Sequence, residues 1–136
     1  MKRLISLKDR YGHEENLSQA IGNGPELRSL LSEYGITVTA APEYEVRVRL
    51  GHDDQAGRID VLLHTTKGDV VVEVQYGLSN KGHAKRLQNY ATNFPNTTLI
   101  VWVAERFTAE ALDLFALAKF PVLCLQAALQ GDVLQL

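Results

Sequence analysis

The chain has 136 residues, 46% of them apolar and 22% charged, a make-up that excludes a disordered chain, a collagen-like chain and a membrane span. That length predicts a single domain over 1–136 with its own core, at roughly 100–200 residues per domain. Fourteen Lys and Arg against sixteen Asp and Glu leave a net charge of −2, so any nucleic-acid contact has to come from a local patch rather than from bulk charge. A single cysteine, Cys124, permits no internal disulfide and fits a reducing cytoplasm. Met1 to Lys8 begins basic but has no apolar stretch of signal-peptide length, so the expected location is cytoplasmic, with no membrane partner.

In chain order, Leu17, Ala20, Ile21, Leu27, Leu30 and Leu31 recur at helical steps between His13 and Tyr34. Gly22-Asn23-Gly24-Pro25 interrupts them, which predicts two short helices, or one broken helix, ending near Gly35. Tyr44 to Leu50 alternates apolar and polar residues as a strand does, and Gly51 to Gly57 reads as a polar loop. Arg58 to Thr65 and Val70 to Tyr76 are predicted strands joined by Thr66-Lys67-Gly68-Asp69, hence an antiparallel hairpin. The near-continuous apolar runs Ile59 to Leu63 and Val70 to Val74 place these strands centrally in a sheet.

Asn80 to Asn93 reads as a helix, followed by a buried strand at Thr98 to Val103. Thr108 to Lys119 reads as a second helix capped by Thr108, with Ala111, Leu112, Phe115 and Ala118 facing inward. Pro121 to Leu125 is a last buried strand and Val133 to Leu136 a short edge strand. Helix, three strands, helix, strand, helix, strand is the order of an α/β sandwich on a mixed sheet.

Most motifs are missing: there is no phosphate-binding glycine loop, dinucleotide fingerprint or nucleophile elbow. His13, His52, His64 and His83 lack the pairwise spacing of zinc ligands, and Cys124 lies in an apolar run as a small buried hydrophobe. The hairpin is different. Glu73 and Gln75 stand two residues apart and leave the same face of their strand, and the preceding strand carries Asp60. An ionised carboxylate inside an apolar strand costs several kcal/mol unless it is paired, and two on adjacent strands repel. Either a divalent cation, Mg²⁺ or Mn²⁺, lies between them, or each pairs with a nearby Arg47, Arg49 or Arg58. Lys81, Lys85 and Gln88 fall on one side of the following helix, with His83 and Arg86 flanking the same stretch. Such a face is either a phosphate-contacting patch or simply solvated. Trp102 and Tyr90 read as core aromatics, and His52-Asp53-Asp54 as a hydrophilic turn.

His13-Glu-Glu-Asn-Leu-Ser-Gln-Ala-Ile21, Gly57-Arg-Ile-Asp60-Val-Leu62, Val71-Val-Glu73-Val-Gln75, Gly82-His-Ala-Lys-Arg-Leu-Gln-Asn-Tyr-Ala91 and Thr98-Leu-Ile-Val-Trp-Val-Ala-Glu-Arg-Phe107 follow one another at set gaps. Together this series resembles the restriction-endonuclease-like, or PD-(D/E)XK, superfamily, in particular its small bacterial branch with Glu-x-Gln. The resemblance covers roughly residues 13 to 115.

It implies an α/β/α sandwich with a mixed central sheet and metal-dependent hydrolysis of nucleic-acid phosphodiesters, DNA more than RNA. Asp60, Glu73 and the Val74 carbonyl would hold Mg²⁺ or Mn²⁺, with Glu14 completing the shell directly or through water and Glu15 as the neighbouring alternative. Gln75 takes the usual lysine position and would orient the attacking water without deprotonating it. Lys81, His83, Lys85 and Arg86 would contact nucleic acid; Arg86 stands where the family pattern has Gln, and Lys85 where it has Gly. A chain of this size implies structure-selective or weakly sequence-specific cleavage, with a homodimer presenting two sites to two strands. The rival expectation is the same fold with degraded chemistry, serving as a nucleic-acid-binding or protein-interaction module.

Overall fold

The computed structural model of the chain describes residues 6–49, 56–91, 94–116, 120–131 and 133–136; within these, the side chains at 48, 49, 56, 81, 88, 90, 91 and 115 are not described. The expectations for Leu50, for His52, Asp53 and Asp54, for Asn93, for Ala118 and Lys119, and for the side chains of Arg49, Lys81, Gln88, Tyr90 and Phe115 therefore lie outside the described residues.

The order is α1 (Leu7–Tyr11), α2 (Glu14–Asn23), α3 (Pro25–Glu33), β1 (Glu43–Arg49), β2 (Ala56–Thr65), β3 (Gly68–Ser79), α4 (Lys81–Ala91), β4 (Thr97–Phe107), α5 (Ala109–Ala116), β5 (Val122–Gln126), β6 (Ala128–Gln130) and β7 (Val133–Gln135). The expected pair of helices is present, and they meet at Gly24, inside the predicted Gly22-to-Pro25 interruption. α2 runs through Gly22 because the Tyr44 ring of β1 packs where a Cβ would stand, its hydroxyl 2.6 Å from that point. Gly24 then caps α3, and Pro25 takes the first helical position, where its missing N–H costs nothing. α1, too short for any periodicity, is closed by a capping box: Ser6 Oγ accepts the Asp9 N–H at 3.0 Å, and Asp9 Oδ2 accepts the Ser6 N–H.

Five strands form one sheet in the order β1-β2-β3-β4-β5. The first three are antiparallel, and β3-β4 and β4-β5 are parallel, each parallel connection passing through a helix. The predicted hairpin turns at Thr66-Lys67, with Thr65 opposite Gly68. At this end of the sheet His64 bridges two acids, bonding Asp69 through Nδ1 at 2.8 Å and Glu43 through Nε2. β3 and β4 outrun their apolar segments because each supplies the other's partner: Leu78 pairs with Arg106, and Ser79 with Phe107. The expected terminal edge strand is corrected. β7 pairs with the unanticipated β6 in a separate two-stranded sheet around Gly131 and does not join the main one.

Two apolar layers cover the sheet. On one face Leu7, Leu17, Ile21, Leu27 and Leu31 of α1–α3 pack on Val61, Leu63, Val70, Val72, Val74, Val101 and Val103. On the other, Ala84 and Leu87 of α4 pack with Ile59, Leu62, Val71, Ile100 and Trp102, and Leu114 of α5 and Cys124 lie against them. Trp102 is fully buried, edge-on to Phe107 at 5.6 Å, as expected of a core aromatic. Each fully buried Leu, Ile or Val contributes about 1.5–3 kcal/mol, so the doubly covered β3 and β4 make a rigid base for whatever their polar residues do. Among the described residues no helix is long and apolar enough to cross a membrane.

Candidate active site

The β2–β3 ladder runs from Thr65↔Gly68 to Val61↔Val72 and stops there. The β1–β2 ladder also skips one position, between Val61↔Tyr44 and Ile59↔Val46. Asp60 occupies both gaps, opposite Glu45, whose φ of +50° is rare for a side-chain-bearing residue. With no backbone partner across the gap, the Val74 N–H donates to Asp60 Oδ2 at 2.8 Å. That bond fixes the Asp60 carboxyl against the Glu73 carboxyl, which also receives the Asp60 main-chain N–H. The two acids named by the sequence thus converge.

Burial is the main reason both carboxyls ionise less readily than usual. The Asp60 carboxyl is pushed up by burial, partly offset by the Val74 N–H. Glu73 is pushed well up, by burial first and then by the charge of Asp60. One Glu73 oxygen, Oε2, is buried without a hydrogen-bond partner. Arg58 turns its guanidinium to Glu45 at 3.3 Å and lowers the Asp60 pKa only as the least of its influences, and no ion pair to Asp60 or Glu73 occurs among the described residues. Two adjoining carboxyls with an orphaned oxygen suit a hard divalent cation, which Mg²⁺-binding proteins typically hold with one or two carboxylates plus waters. Among the described residues no three acidic, imidazole or thiol groups gather to enclose a metal by themselves.

Two clefts flank this pair. The first, about 250 Å³, is lined by Glu14, Glu73, Val74, Gln75, Tyr76, His83, Arg86 and Leu87. The second, about 320 Å³, is walled by Glu14, Glu15, Ser18, Gln19, Tyr44, Glu45, Arg58 and Asp60. Glu14, the first residue of α2, borders both, whereas Glu15 reaches only the second. The Tyr76 N–H donates to Glu14 Oε2 at 3.3 Å, tying α2 to β3. Burial raises the Glu14 pKa, and the Tyr76 N–H counters it.

Sequence reasoning missed the surroundings of Gln75. β3 carries a register shift between Gln75 and Leu78, where Gly77 adopts φ +73°. Residues four apart in a straight strand are about 13 Å apart, yet past this bulge the Ser79 hydroxyl reaches Gln75 Oε1 at 3.2 Å. Gln75 Nε2 lies 2.9 Å from His83 Nδ1. One amide hydrogen of Gln75 remains, and Gln75 still lines the first cleft. His83 is placed by the start of α4, where Asn80 Oδ1 accepts its N–H at 3.2 Å as a helix cap. Burial, and then the nearby Arg86, lower its pKa. The only early signal for Ser79 was a polar residue two past a glycine at the end of the strand.

The basic face of α4 divides. Arg86 and His83 line the first cleft; Lys85 is exposed on the helix and does not. The two sides of the carboxyl pair are therefore unlike, one carrying Arg86 and the other Glu15 and Glu45 with Arg58.

No family model and no curated protein matches the chain. Among solved structures, the EndoMS-dsDNA2 complex is similar over 84% of this chain and 44% of its own, at 13% identity and a TM-score of 0.50. A repair endonuclease from Pyrococcus abyssi matches 75% of this chain and 46% of its own, at 16% identity and a TM-score of 0.47. The chain spans a little under half the length of both. The fold is the restriction-endonuclease-like one: an α/β/α sandwich on a five-stranded mixed sheet.

Proposed function

We propose that this chain is a metal-dependent nuclease of the Glu-x-Gln branch that hydrolyses phosphodiester bonds of DNA. The observation that carries the reading is the meeting of the Asp60 and Glu73 carboxyls with a buried, unpartnered Glu73 oxygen, next to a cleft bearing Arg86. An acidic pair inside an apolar sheet is costly to the fold, and a cation-dependent task accounts for it. The similar EndoMS structure is a complex with double-stranded DNA, which supports DNA as the substrate.

Asp60, Glu73 and the Val74 carbonyl would hold Mg²⁺ or Mn²⁺. When bound, such an ion supplies a Lewis acid for the phosphate and lowers the pKa of a water within reach. Gln75 directs its remaining amide hydrogen to that water and orients it, while Glu14 orients waters from the α2 side. Arg86 reaches the non-bridging phosphate oxygens, so the scissile phosphate enters from α4 rather than from the acidic second cleft. Lys85, exposed on α4, steadies the flanking backbone. A site this small reads little sequence, which favours structure-selective or weakly specific cutting, with a homodimer delivering two cuts.

The test is digestion of supercoiled plasmid and single-stranded DNA in Mg²⁺ or Mn²⁺, with Asp60→Asn and Glu73→Gln beside wild type. Cleavage that needs metal and is lost in both variants is expected; cleavage indifferent to both discards the assignment. A second reading, a DNA-binding module with degraded chemistry, draws on Gln75 in the lysine position and on there being, among the described residues, no group of three side chains that could hold a metal. It expects salt-sensitive DNA binding and no stoichiometric Mn²⁺ uptake.

A further inference from the structure

β5 is an edge of the main sheet, and its register with β4 fixes which of its backbone groups are free. The Pro121 C=O accepts the Ile100 N–H, and the Ala127 N–H donates to the Ala104 C=O, so the odd-numbered residues from 121 to 127 face β4. In a parallel ladder the N–H and C=O of one residue point to the same side, and successive residues alternate. The backbone groups of Val122, Cys124 and Gln126 therefore point away from the sheet, symmetrically about Cys124, and among the described residues no strand pairs with them. The two edges of the sheet are not alike. β1 carries Glu43, Glu45 and Arg47, with the positive φ of Glu45, features that keep an edge from pairing with another chain. β5, Val-Leu-Cys-Leu-Gln, has no charge and no register shift.

We propose that β5 pairs antiparallel with β5 of a second copy of this chain, about a two-fold axis that passes between the two Cys124 residues, perpendicular to the sheet. Each Cys124 then exchanges both backbone hydrogen bonds with its mate, and Val122 meets Gln126 on either side. Charge supports the antiparallel sense. Lys67 lines an apolar cleft at the start of β5, with Tyr34, Leu99, Val122 and Leu123, and Glu105 stands at the strand's end, where its C=O accepts the Gln126 amide. The two-fold turns each basic end toward the acidic end of the other copy. The register also relates the two candidate sites, because Glu73 pairs with Trp102 and Trp102 with Cys124, one row across the sheet. The two Glu73 residues then stand about 24 Å apart, at about 4.8 Å per strand spacing, on the same side of the joined sheet, as two cuts in one duplex require. That consequence rests on the nuclease reading above; the interface does not.

Sedimentation and cross-linking of the full chain test this. A concentration-dependent monomer–dimer equilibrium is expected, and a monomer from micromolar to submillimolar concentration overturns the proposal. Gln126→Pro removes an outward N–H and keeps the β4 ladder, so it is expected to raise the dimer dissociation constant about 10-fold or more. Val122→Lys, a charge on the edge, should do likewise. Dimers indifferent to both substitutions use another face and overturn the proposal as well. Cys124 is the chain's one cysteine, and its Cα would lie about 5.5 Å from its mate's, within disulfide reach. Copper-catalysed oxidation of the wild-type dimer is therefore expected to join the two copies. Moving the thiol to the strand end, as Cys124→Ser with Gln126→Cys, separates the mates by about 13 Å or more and should abolish the link; the reverse pattern overturns the register. A dimer that cuts no DNA fails the nuclease reading and leaves the interface standing.

Discussion

Asp60 Oδ2 accepts the main-chain N–H of Val74 at 2.8 Å, standing in for the backbone pairing that β2 and β3 give up beyond Val61↔Val72. The acid is therefore part of the sheet as well as of the site, and the two roles separate by substitution. Asp60→Asn keeps an oxygen for Val74 and removes the charge, so it is expected to fold with near wild-type stability and to lose metal-dependent cleavage. Asp60→Ala leaves the buried Val74 N–H unpaired and is expected to lose about a further 1–3 kcal/mol, read as a lower urea midpoint than that of Asp60→Asn. Equal midpoints would show that the Val74 bond holds nothing together.

The neighbouring acid sets a pH dependence. Glu73 has its pKa raised, chiefly by burial and then by Asp60. A carboxyl with a raised pKa binds more protons folded than unfolded, so its contribution to stability is complete below the ordinary carboxylate range, about 4, and is lost as pH climbs through the folded value. The metal-free wild type is thus expected to give up stability between pH 4 and neutrality, whereas Glu73→Gln flattens that loss and is the more stable protein at pH 7. The gain is on the order of 1 kcal/mol, a few degrees in Tm for a domain of this size. Adding Mg²⁺ should restore the wild type by mass action and leave Glu73→Gln nearly unchanged. Thermal melts in chelator across pH 4–8 check the sign: a wild type that gains stability on that interval contradicts it.

How much of this was legible differs from residue to residue. Asp60 and Glu73 stood out because a carboxylate inside an apolar strand demands an explanation from its neighbours alone. The way they meet did not, because it depends on a broken alternation: Ile59 and Val61, two apart, serve opposite cores, as do Tyr44 and Val46. The break falls at Asp60 and at Glu45 with its positive φ, and no period-two reading contains it. Ser79 was invisible for a related reason, since only the bulge at Gly77 brings it back to Gln75. The break between α2 and α3 was legible in Gly22-Asn23-Gly24-Pro25, but why Gly22 itself is a glycine was not, because the Tyr44 ring that packs on it lies 22 residues further along the chain.

Arg86 and Lys85, adjacent on α4, point to different tasks. Arg86 lines the cleft beside Glu73, whereas Lys85 lies exposed outside it. On the proposed reading Arg86→Ala would remove a charged hydrogen bond to the reacting phosphate, worth about 1.5–3 kcal/mol, and is expected to lower kcat/KM by about 10- to 100-fold. Lys85→Ala would on that reading remove one contact with the DNA backbone and should weaken DNA binding about two- to threefold, with a shallower salt dependence and an unchanged kcat. Kinetics at two salt concentrations distinguish them, and equal losses in the two variants would dissolve the assignment of Arg86 to the reacting phosphate.

Gly77 offers a test of the bulge itself. Its φ is +73°, and a Cβ placed there meets no atom within 4 Å, so Gly77→Ala suffers backbone strain and no clash. Gly131, at φ +66° between β6 and β7, is equally open and lies in a different sheet, which makes it the matched control. Both substitutions are expected to cost about 1–2 kcal/mol, the penalty for a side chain in the left-handed region. Only at Gly77 does relief of that strain straighten β3 between Gln75 and Leu78 and draw the Ser79 hydroxyl away from Gln75. Gly77→Ala should therefore also lose cleavage, while Gly131→Ala keeps the wild-type activity. If the two variants match in activity as well as in Tm, the bulge is a feature of the sheet with no hold on the site.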